Sequence, residues 1–299
     1  MTHRPTQPDY TARILRVMAH VQSRLDDPLT PRDLAEVACF SPHHFHRVFK
    51  GMVGESVMGY LRRLRLERAA ARLKRTEQPV TSIAFDAGYE NHESFTRAFG
   101  ALFGMPPSEF RAQSRALAPP AAPSAVHYHP DGLIEGFAPL TATSSAMRIK
   151  IETLAARRVA YVRHTGPYDQ CSEAWEKVNA WAAAEGLMGP SATFLGRSYD
   201  DPDITPADKV RYDACVTVDA DVKPSGEIGI TEIPGGDYAV ARHVGPYEKI
   251  GETYAALLGR WLPGSGREMA DAPSLEQYWN DPESTPPEEL ETDICILLA

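Results

Sequence analysis

The chain repeats itself twice over, at two different spacings, and this limits the possible folds more than any composition figure does. In the second half, Tyr161-Val162-Arg163-His164-Thr165-Gly166-Pro167-Tyr168 recurs as Val240-Ala241-Arg242-His243-Val244-Gly245-Pro246-Tyr247, an offset of 79. Asp201-Pro202 returns as Asp281-Pro282, and Asp213-Ala214-Cys215-Val216 as Asp293-Ile294-Cys295-Ile296, both at an offset of 80. In the first half, Leu34-Ala35…Ala38 matches Ile83-Ala84…Ala87 at 49, and Phe45-His46-Arg47-Val48-Phe49 matches Phe95-Thr96-Arg97-Ala98-Phe99 at 50. A repeated sequence folds into a repeated supersecondary unit. The 299 residues therefore read as two domains, each built from two related units.

The first half reads as helices. Ile14, Val17, Met18, Val21 and Leu25 recur at three- and four-residue spacing within Tyr10 to Leu25. Thr30-Pro31-Arg32-Asp33 supplies a capping hydroxyl, a Pro at the first helical position and an acid in the first turn; Ser41-Pro42 repeats the signal. Helix, tight turn, helix is the arrangement that offers its second helix to the major groove, and here it occurs twice. Between the two pairs, Ser56 to Arg75 lacks Pro and predicts one helix. At ~1.5 Å per residue it spans ~30 Å, close to the ~34 Å between successive major-groove faces. Its apolar residues change sides, from Val57, Tyr60, Leu61 and Leu64 to Leu66, Ala69, Ala70 and Leu73, as expected of a helix packing on a different bundle at each end. Of its arginines Arg62, Arg63, Arg65, Arg68, Arg72 and Arg75, one or two are expected on phosphate.

Charge separates the halves. The whole chain carries Lys+Arg 31 against Asp+Glu 40, a net charge of −9. Residues 1–115 hold 17 basic and 12 acidic residues, +5, which leaves −14 on the remainder. Such asymmetry suits a nucleic-acid reader joined to a domain with another task. The Ala/Pro-rich stretch from Ala116 to Ala125 reads as a semi-extended linker. No run of ~18 apolar residues occurs, Met1-Thr2-His3-Arg4-Pro5 leads into no apolar signal segment, and the cysteines Cys39, Cys171, Cys215 and Cys295 form no C-x-x-C. A cytoplasmic protein with no membrane partner is expected.

Residues 10–113 resemble the DNA-binding domain of the AraC/XylS family of bacterial transcription regulators. The matching text is LTPRDLAEVACFSPHHFHRVFK, then VTSIAFDAGYENHESFTRAFGALFGMPPSEFR, with Gly104 to Arg111 similar to the family's closing signature. The resemblance implies double-stranded promoter DNA and RNA polymerase as partners. It also implies base reading by early positions of both recognition helices: His43, His46 and Arg47 in the first, His92, Glu93 and Arg97 in the second. Arg can grip guanine bidentately, Glu can accept from cytosine, and His can donate or accept. No carboxylate or Cys completes a metal site around His43, His44 and His46, so no metal or other cofactor is expected.

The repeat of the acidic half reads as a β-rich run (Val159–His164; Tyr238–His243), a Gly-Pro-Tyr turn, a helix and two more strands. Two such α+β units pair plausibly into a pseudo-symmetric body with an antiparallel sheet and a cleft. This half resembles the gyrase-inhibitor-like (GyrI-like) effector-binding domain, through PGGDYAVARHVGPYEKIGETYAALLGRWLP and PSLEQYWNDPESTPPEELETDICILL. The resemblance implies a small-molecule effector held by one Glu in an aromatic pocket, at Glu276 by motif position, with Tyr278 on the same strand face. A carboxylate among rings suits a lipophilic cation, because charge and ring faces both attract it. The first-repeat counterpart of Glu276 is Gly196, so the duplication supplies one carboxylate there. Tyr168 and Tyr247 follow the Gly-Pro turns and either line the cleft or anchor the turns; Trp175 and Trp181 read as helix core.

The fold class expected is multidomain. An all-α tandem helix-turn-helix domain spans 1–115 and a linker and approach segment 116–147. An α+β domain of two repeats with an antiparallel sheet, about 148–220 and 228–299, completes the chain. The function expected is a DNA-binding transcriptional regulator, not an enzyme, controlled by a lipophilic or cationic effector. The alternative makes the second domain a hydrolase or sequestering module for reactive drug-like molecules, using Glu276. G-x-S-x-G, H-E-x-x-H, P-loop and G-x-G-x-x-G motifs are all missing from the sequence, and Cys171 with His164 makes no recognisable nucleophile pair.

Overall fold

The computed structural model describes residues 9–113, 119–140, 148–189, 192–202 and 204–299, apart from the side chains of Pro42 and His43. The chain divides into two compact units. One comprises Asp9–Phe45 and Met52–Leu140; the other comprises the remainder of the described chain, including His46–Gly51.

The first half is helical: α1 (Tyr10–Ser23), α2 (Pro31–Ala38), α3 (Pro42–Val53), α4 (Val57–Arg75), α5 (Val80–Asp86), α6 (His92–Phe103) and α7 (Pro107–Ala112). Its starts are set by side chains that satisfy the first N–H groups. Thr30 and Asp33 form a reciprocal capping box on α2, and Ser56 accepts from the Gly59 N–H at 2.9 Å to open α4. Asn91 accepts from the Ser94 N–H at 2.8 Å to open α6. The switch of faces along α4 is present. Its second half contributes Leu66, Ala69, Ala70 and Leu73 to a cluster with Ile83 and Ala84 of α5, Phe95 and Phe99 of α6, and Phe110 of α7. Phe99 lies at the centre, with ring centroids 5.5 Å from Phe95, 4.4 Å from Phe103 and 5.2 Å from Phe110. On the other face, Val57, Tyr60, Leu61 and Leu64 are buried, and α4 also packs against α1.

Most of the arginines of α4 serve the fold. Arg65 donates to the carbonyls of Leu25 and Asp27, Arg68 to Asp26 and the Asp86 carbonyl, and Arg72 to Asp86. These bonds tie the long helix to the connection between α1 and α2 and to the end of α5. Arg62 and Arg75 stay exposed.

Residues 119–140 contain no helix or strand, yet part of the segment is bound firmly to the helical unit. The side chain of Gln22 in α1 donates to the His127 carbonyl (2.8 Å) and accepts from the His129 N–H (3.2 Å). Arg63 donates to the Val126 carbonyl (3.0 Å), while Glu67 accepts from the Tyr128 N–H (2.7 Å) and meets the His127 ring (3.1 Å). Val126 is buried beneath. A strap of alternating backbone and side-chain bonds thus runs over 124–129, from the end of the Ala/Pro-rich stretch 116–125 into the approach segment that follows it. The parts of that linker at 116–118 and 141–147 lie outside the described residues.

The second half forms one eight-stranded sheet in the order β1-β6-β8-β7-β3-β4-β2-β5, antiparallel throughout. The strands are β1 (Ile149–Leu154), β2 (Arg157–Thr165), β3 (Phe194–Ser198), β4 (Arg211–Thr217), β5 (Gly229–Ile233), β6 (Gly236–Val244), β7 (Ser274–Tyr278) and β8 (Glu291–Leu297). Each repeat thus carries one strand before the β-rich run read from the sequence, and those strands are exchanged. β1 pairs with β6 of the second repeat, and β5 with β2 of the first. The two crossover points touch: a Cβ on Gly235 would lie 2.6 Å from the Ala156 nitrogen, so only glycine fits there. α8 (Ser172–Ala184) covers β2 and β4, and α9 (Ile250–Tyr254) packs on β6. Both sheet faces carry an apolar cluster, so successive residues of the central strands are apolar rather than alternating. Ala160, Val162, Ala214 and Val216 face α8, whereas Val159, Leu195, Cys215, Val240, Leu275 and Cys295 close on one another across the other face.

Candidate functional site

The second helices of the two helix pairs are α3 and α6. His92 and Glu93 in the first turn of α6 and Arg97 one turn later are all exposed, while Phe95 and Phe99 fill the core behind them. This spacing lays three polar side chains along one outer face, the geometry that major-groove reading needs. On α3 the counterpart His46 is buried and Arg47 partly buried; the His43 side chain lies outside the described residues.

In the sheet domain the two central strands β3 and β7 run between the helix-covered flanks. They pair so that Gly196 stands directly opposite Glu276. Because these are the equivalent positions of the two repeats, the pseudo-two-fold axis passes between them. Two carboxylates facing each other across an antiparallel pair at roughly 5 Å would repel, so an axial site holds one.

Glu276 is buried, and three hydroxyls serve its carboxylate. Ser198 and Tyr254 donate to Oε1 at 2.8 Å each, and Tyr278 donates to Oε2 at 2.6 Å. The Tyr212 hydroxyl lies 2.8 Å from that of Tyr278. A phenol has one proton, and that of Tyr278 is spent on Glu276, so Tyr212 is the donor in this second bond. Rings enclose the group. Tyr278 is met edge-on by Trp175 (5.4 Å) from α8 and by Tyr247 (5.7 Å), while Tyr168 meets Tyr212 edge-on at 5.8 Å and donates to the Asp200 carbonyl. Burial, reinforced by the Glu276 charge, pushes the phenols of Tyr212, Tyr254 and Tyr278 well above their ordinary range and that of Tyr247 up to about 12. Burial likewise lifts Tyr168 to about 12 and the Cys171 thiol to about 11. The hydroxyls therefore remain neutral donors. Among the described residues no three His, Cys, Asp or Glu side chains are grouped to hold a metal ion.

Residues 147–299 match the GyrI-like small molecule binding domain, and residues 34–113 match a helix-turn-helix domain, of the AraC type. The chain belongs to the GyrI-like family. It is 34% identical to the probable transcriptional regulator YgiV of Escherichia coli K12 over 161 residues, which cover 52% of this chain and 99% of that protein. The helical half is 36% identical over 102 residues to the HTH-type transcriptional regulator YbfP of Bacillus subtilis, covering 34% of this chain and 35% of that one. It is 31% identical over 103 residues to the right origin-binding protein of Escherichia coli K12, covering 34% and 36%. An AraC-type DNA-binding domain joined to a GyrI-like domain makes this chain a DNA-binding transcriptional regulator controlled by a small effector.

Within this GyrI-like domain the structure gathers the sequence-read residues Glu276, Tyr278, Tyr168 and Tyr247 around one carboxylate. It adds Tyr254, Tyr212 and Ser198, which the sequence reading did not single out, and Trp175, packed on the core beneath α8 as its spacing suggested, also meets Tyr278 edge-on. The repeat offset carried the missing signal. At 79, Trp175 corresponds to Tyr254; at 80, Ser198 corresponds to Tyr278 and Tyr212 to Thr292. Every group at Glu276 is thus a repeat-related position. The offset grows from 79 to 80 over an interval that includes a π-helical stretch, Ala255–Trp261, directly after Tyr254. A π-helical turn absorbs an inserted residue without ending the helix.

Proposed function

We propose that the effector is a lipophilic cation seated against Glu276, and that its binding alters promoter recognition by the helical domain. The observation that carries the proposal is a buried carboxylate, on the pseudo-two-fold axis, ringed by Tyr168, Trp175, Tyr212, Tyr247, Tyr254 and Tyr278. A buried anion among ring faces is favourable for a cation that carries its own apolar surface, since such a cation loses little hydration on entry. Promoter DNA is read by His92, Glu93 and Arg97 of α6, with His43, His46 and Arg47 of α3 as the second reading set. The protein acts in the cytoplasm, with RNA polymerase as its downstream partner.

A thermal-shift screen tests the effector class. Lipophilic cations are expected to raise the melting temperature of the native protein and to leave that of Glu276→Gln in place. Neutral or anionic compounds that stabilise both proteins equally would refute the reading. Incubating the same compounds with catalytic amounts of protein separates regulation from hydrolysis: stoichiometric binding without product is expected, and turnover that Glu276→Gln abolishes would favour the enzymatic alternative.

A further inference from the structure

We infer that Tyr212, seated on Gly196, is a positioning residue for the effector site and decides which repeat carries its charge. The inference rests on the cation reading of Glu276 and adds to it a residue that does not touch the carboxylate.

The two repeats differ at this axis in a paired way. In the first, position 196 is Gly and position 212 is Tyr; in the second, the equivalents are Glu276 and Thr292. The pairing has a steric origin. A Cβ on Gly196 would lie 2.3 Å from the Tyr212 hydroxyl oxygen and 2.8 Å from two of its ring carbons. The Tyr212 ring therefore occupies the space that a side chain at 196 would need. In the second repeat, where position 276 is Glu, the residue at 292 is the smaller Thr. With Tyr at 212, any side chain at 196 requires the ring to move.

The hydroxyl of Tyr212 puts this exchange to use. It donates to Tyr278, which leaves the Tyr278 proton only one direction, onto Glu276 Oε2. Tyr212 is buried on the sheet face and its ring is held edge-on by Tyr168. The relay runs from the first repeat, through Tyr212 and Tyr278, to the carboxylate of the second. It aligns Tyr278 so that its ring, between Trp175 and Tyr247, stands in one orientation toward a bound cation. Gly196 is the seat that makes the relay possible.

The test is a double-mutant cycle with N-methylacridinium as the fluorescent probe, together with the ¹³C NMR resonance of the Tyr278 Cζ. Tyr212→Phe keeps the ring and removes the donor; it is expected to weaken probe binding about 3- to 10-fold, as loss of one buried hydrogen bond does. In a Tyr278→Phe background the same change is expected to have no further effect, because Tyr212 acts through Tyr278. Gly196→Ala is expected to cause a comparable loss that disappears when position 212 is Leu. The Tyr278 Cζ resonance, assigned with Tyr278→Phe, is expected to move in Tyr212→Phe. Additive losses, or an unmoved Tyr278 resonance in Tyr212→Phe, would overturn the inference. If Glu276→Gln binds the probe as the native protein does, the cation reading fails instead, and the Tyr278 resonance still decides the relay. Unfolding midpoints of all variants separate a lost bond from a lost fold.

Discussion

Replacing Glu67 by Gln tests whether the strap over 124–129 belongs to the folded helical unit. Glu67 is buried in α4 and meets three groups: the Arg63 guanidinium at 2.7 Å, the Tyr128 N–H at 2.7 Å and the His127 ring at 3.1 Å. Gln keeps the shape but removes the charge, and it can turn either its oxygen or its amide toward the strap, not an acceptor toward all three. Breaking a buried ion pair costs about 3–5 kcal/mol when it strands the partner. Arg63 keeps Glu55 at 2.6 Å, so the lower part of the scale applies, and the mispaired Tyr128 N–H adds to it. A loss of about 2–4 kcal/mol is expected. At ~4–8 °C per kcal/mol for a domain of this size, the helical unit should melt at least ~8 °C lower. Urea unfolding followed by circular dichroism gives the free energy, and hydrogen exchange gives the location, with protection falling first at Val126, Tyr128 and His129. A change under about 0.5 kcal/mol, the scale of an ordinary surface substitution, would refute the account of the strap. So would exchange at those amides as fast in the native protein as in an unfolded peptide.

Further outcomes follow from the same structure. Tyr168 and Tyr247 hold their phenolic protons to about 12 when folded, against about 10 when unfolded. The native state therefore binds more protons than the unfolded state between those values, and stability should fall as pH rises from ~10 to ~12. Absorbance at the phenolate band should show a late fraction of the tyrosines ionising together with unfolding; titration of every tyrosine near 10 in the folded protein would contradict this. Arg97→Ala should cost about 1–3 kcal/mol of operator affinity and relax preference at one base position, measured by competition against single-site operator variants. Arg62→Ala and Arg75→Ala should each weaken binding to all sequences alike and reduce the salt slope by about 1 if that side chain meets phosphate. An unchanged slope for both would show that α4 stays clear of the backbone.

The helical half was legible because its signals are local. Thr30, Ser56 and Asn91 cap helices within three residues of themselves, and the change of apolar face along α4 follows from its own spacing. The strap was not legible, since Ser124 to His129 carries no periodicity and is held by Gln22, Arg63 and Glu67, partners some 60 to 105 residues earlier. In the sheet domain, the family resemblance pointed to Glu276 and the repeat to Gly196 as its counterpart, but not to their facing each other, because register between β3 and β7 depends on the pairing of two whole repeats. The exchange of β1 and β5 was hidden for the same reason: each strand pairs outside its own repeat. Trp175 read as core because an amphipathic helix gives the same spacing whether its inner face meets a sheet or encloses a ligand.

The central claim, that one axial carboxylate selects a cation, is tested most directly by calorimetry with a charged and a neutral molecule of one shape. Benzyltrimethylammonium and its carbon isostere neopentylbenzene differ only in charge. The native protein is expected to bind the ammonium compound at least tenfold more tightly than the hydrocarbon, and Glu276→Gln to bind the two about equally, the tenfold difference corresponding to about 1.4 kcal/mol. Equal affinities in the native protein, or a preference for the cation that survives in Glu276→Gln, would contradict the account.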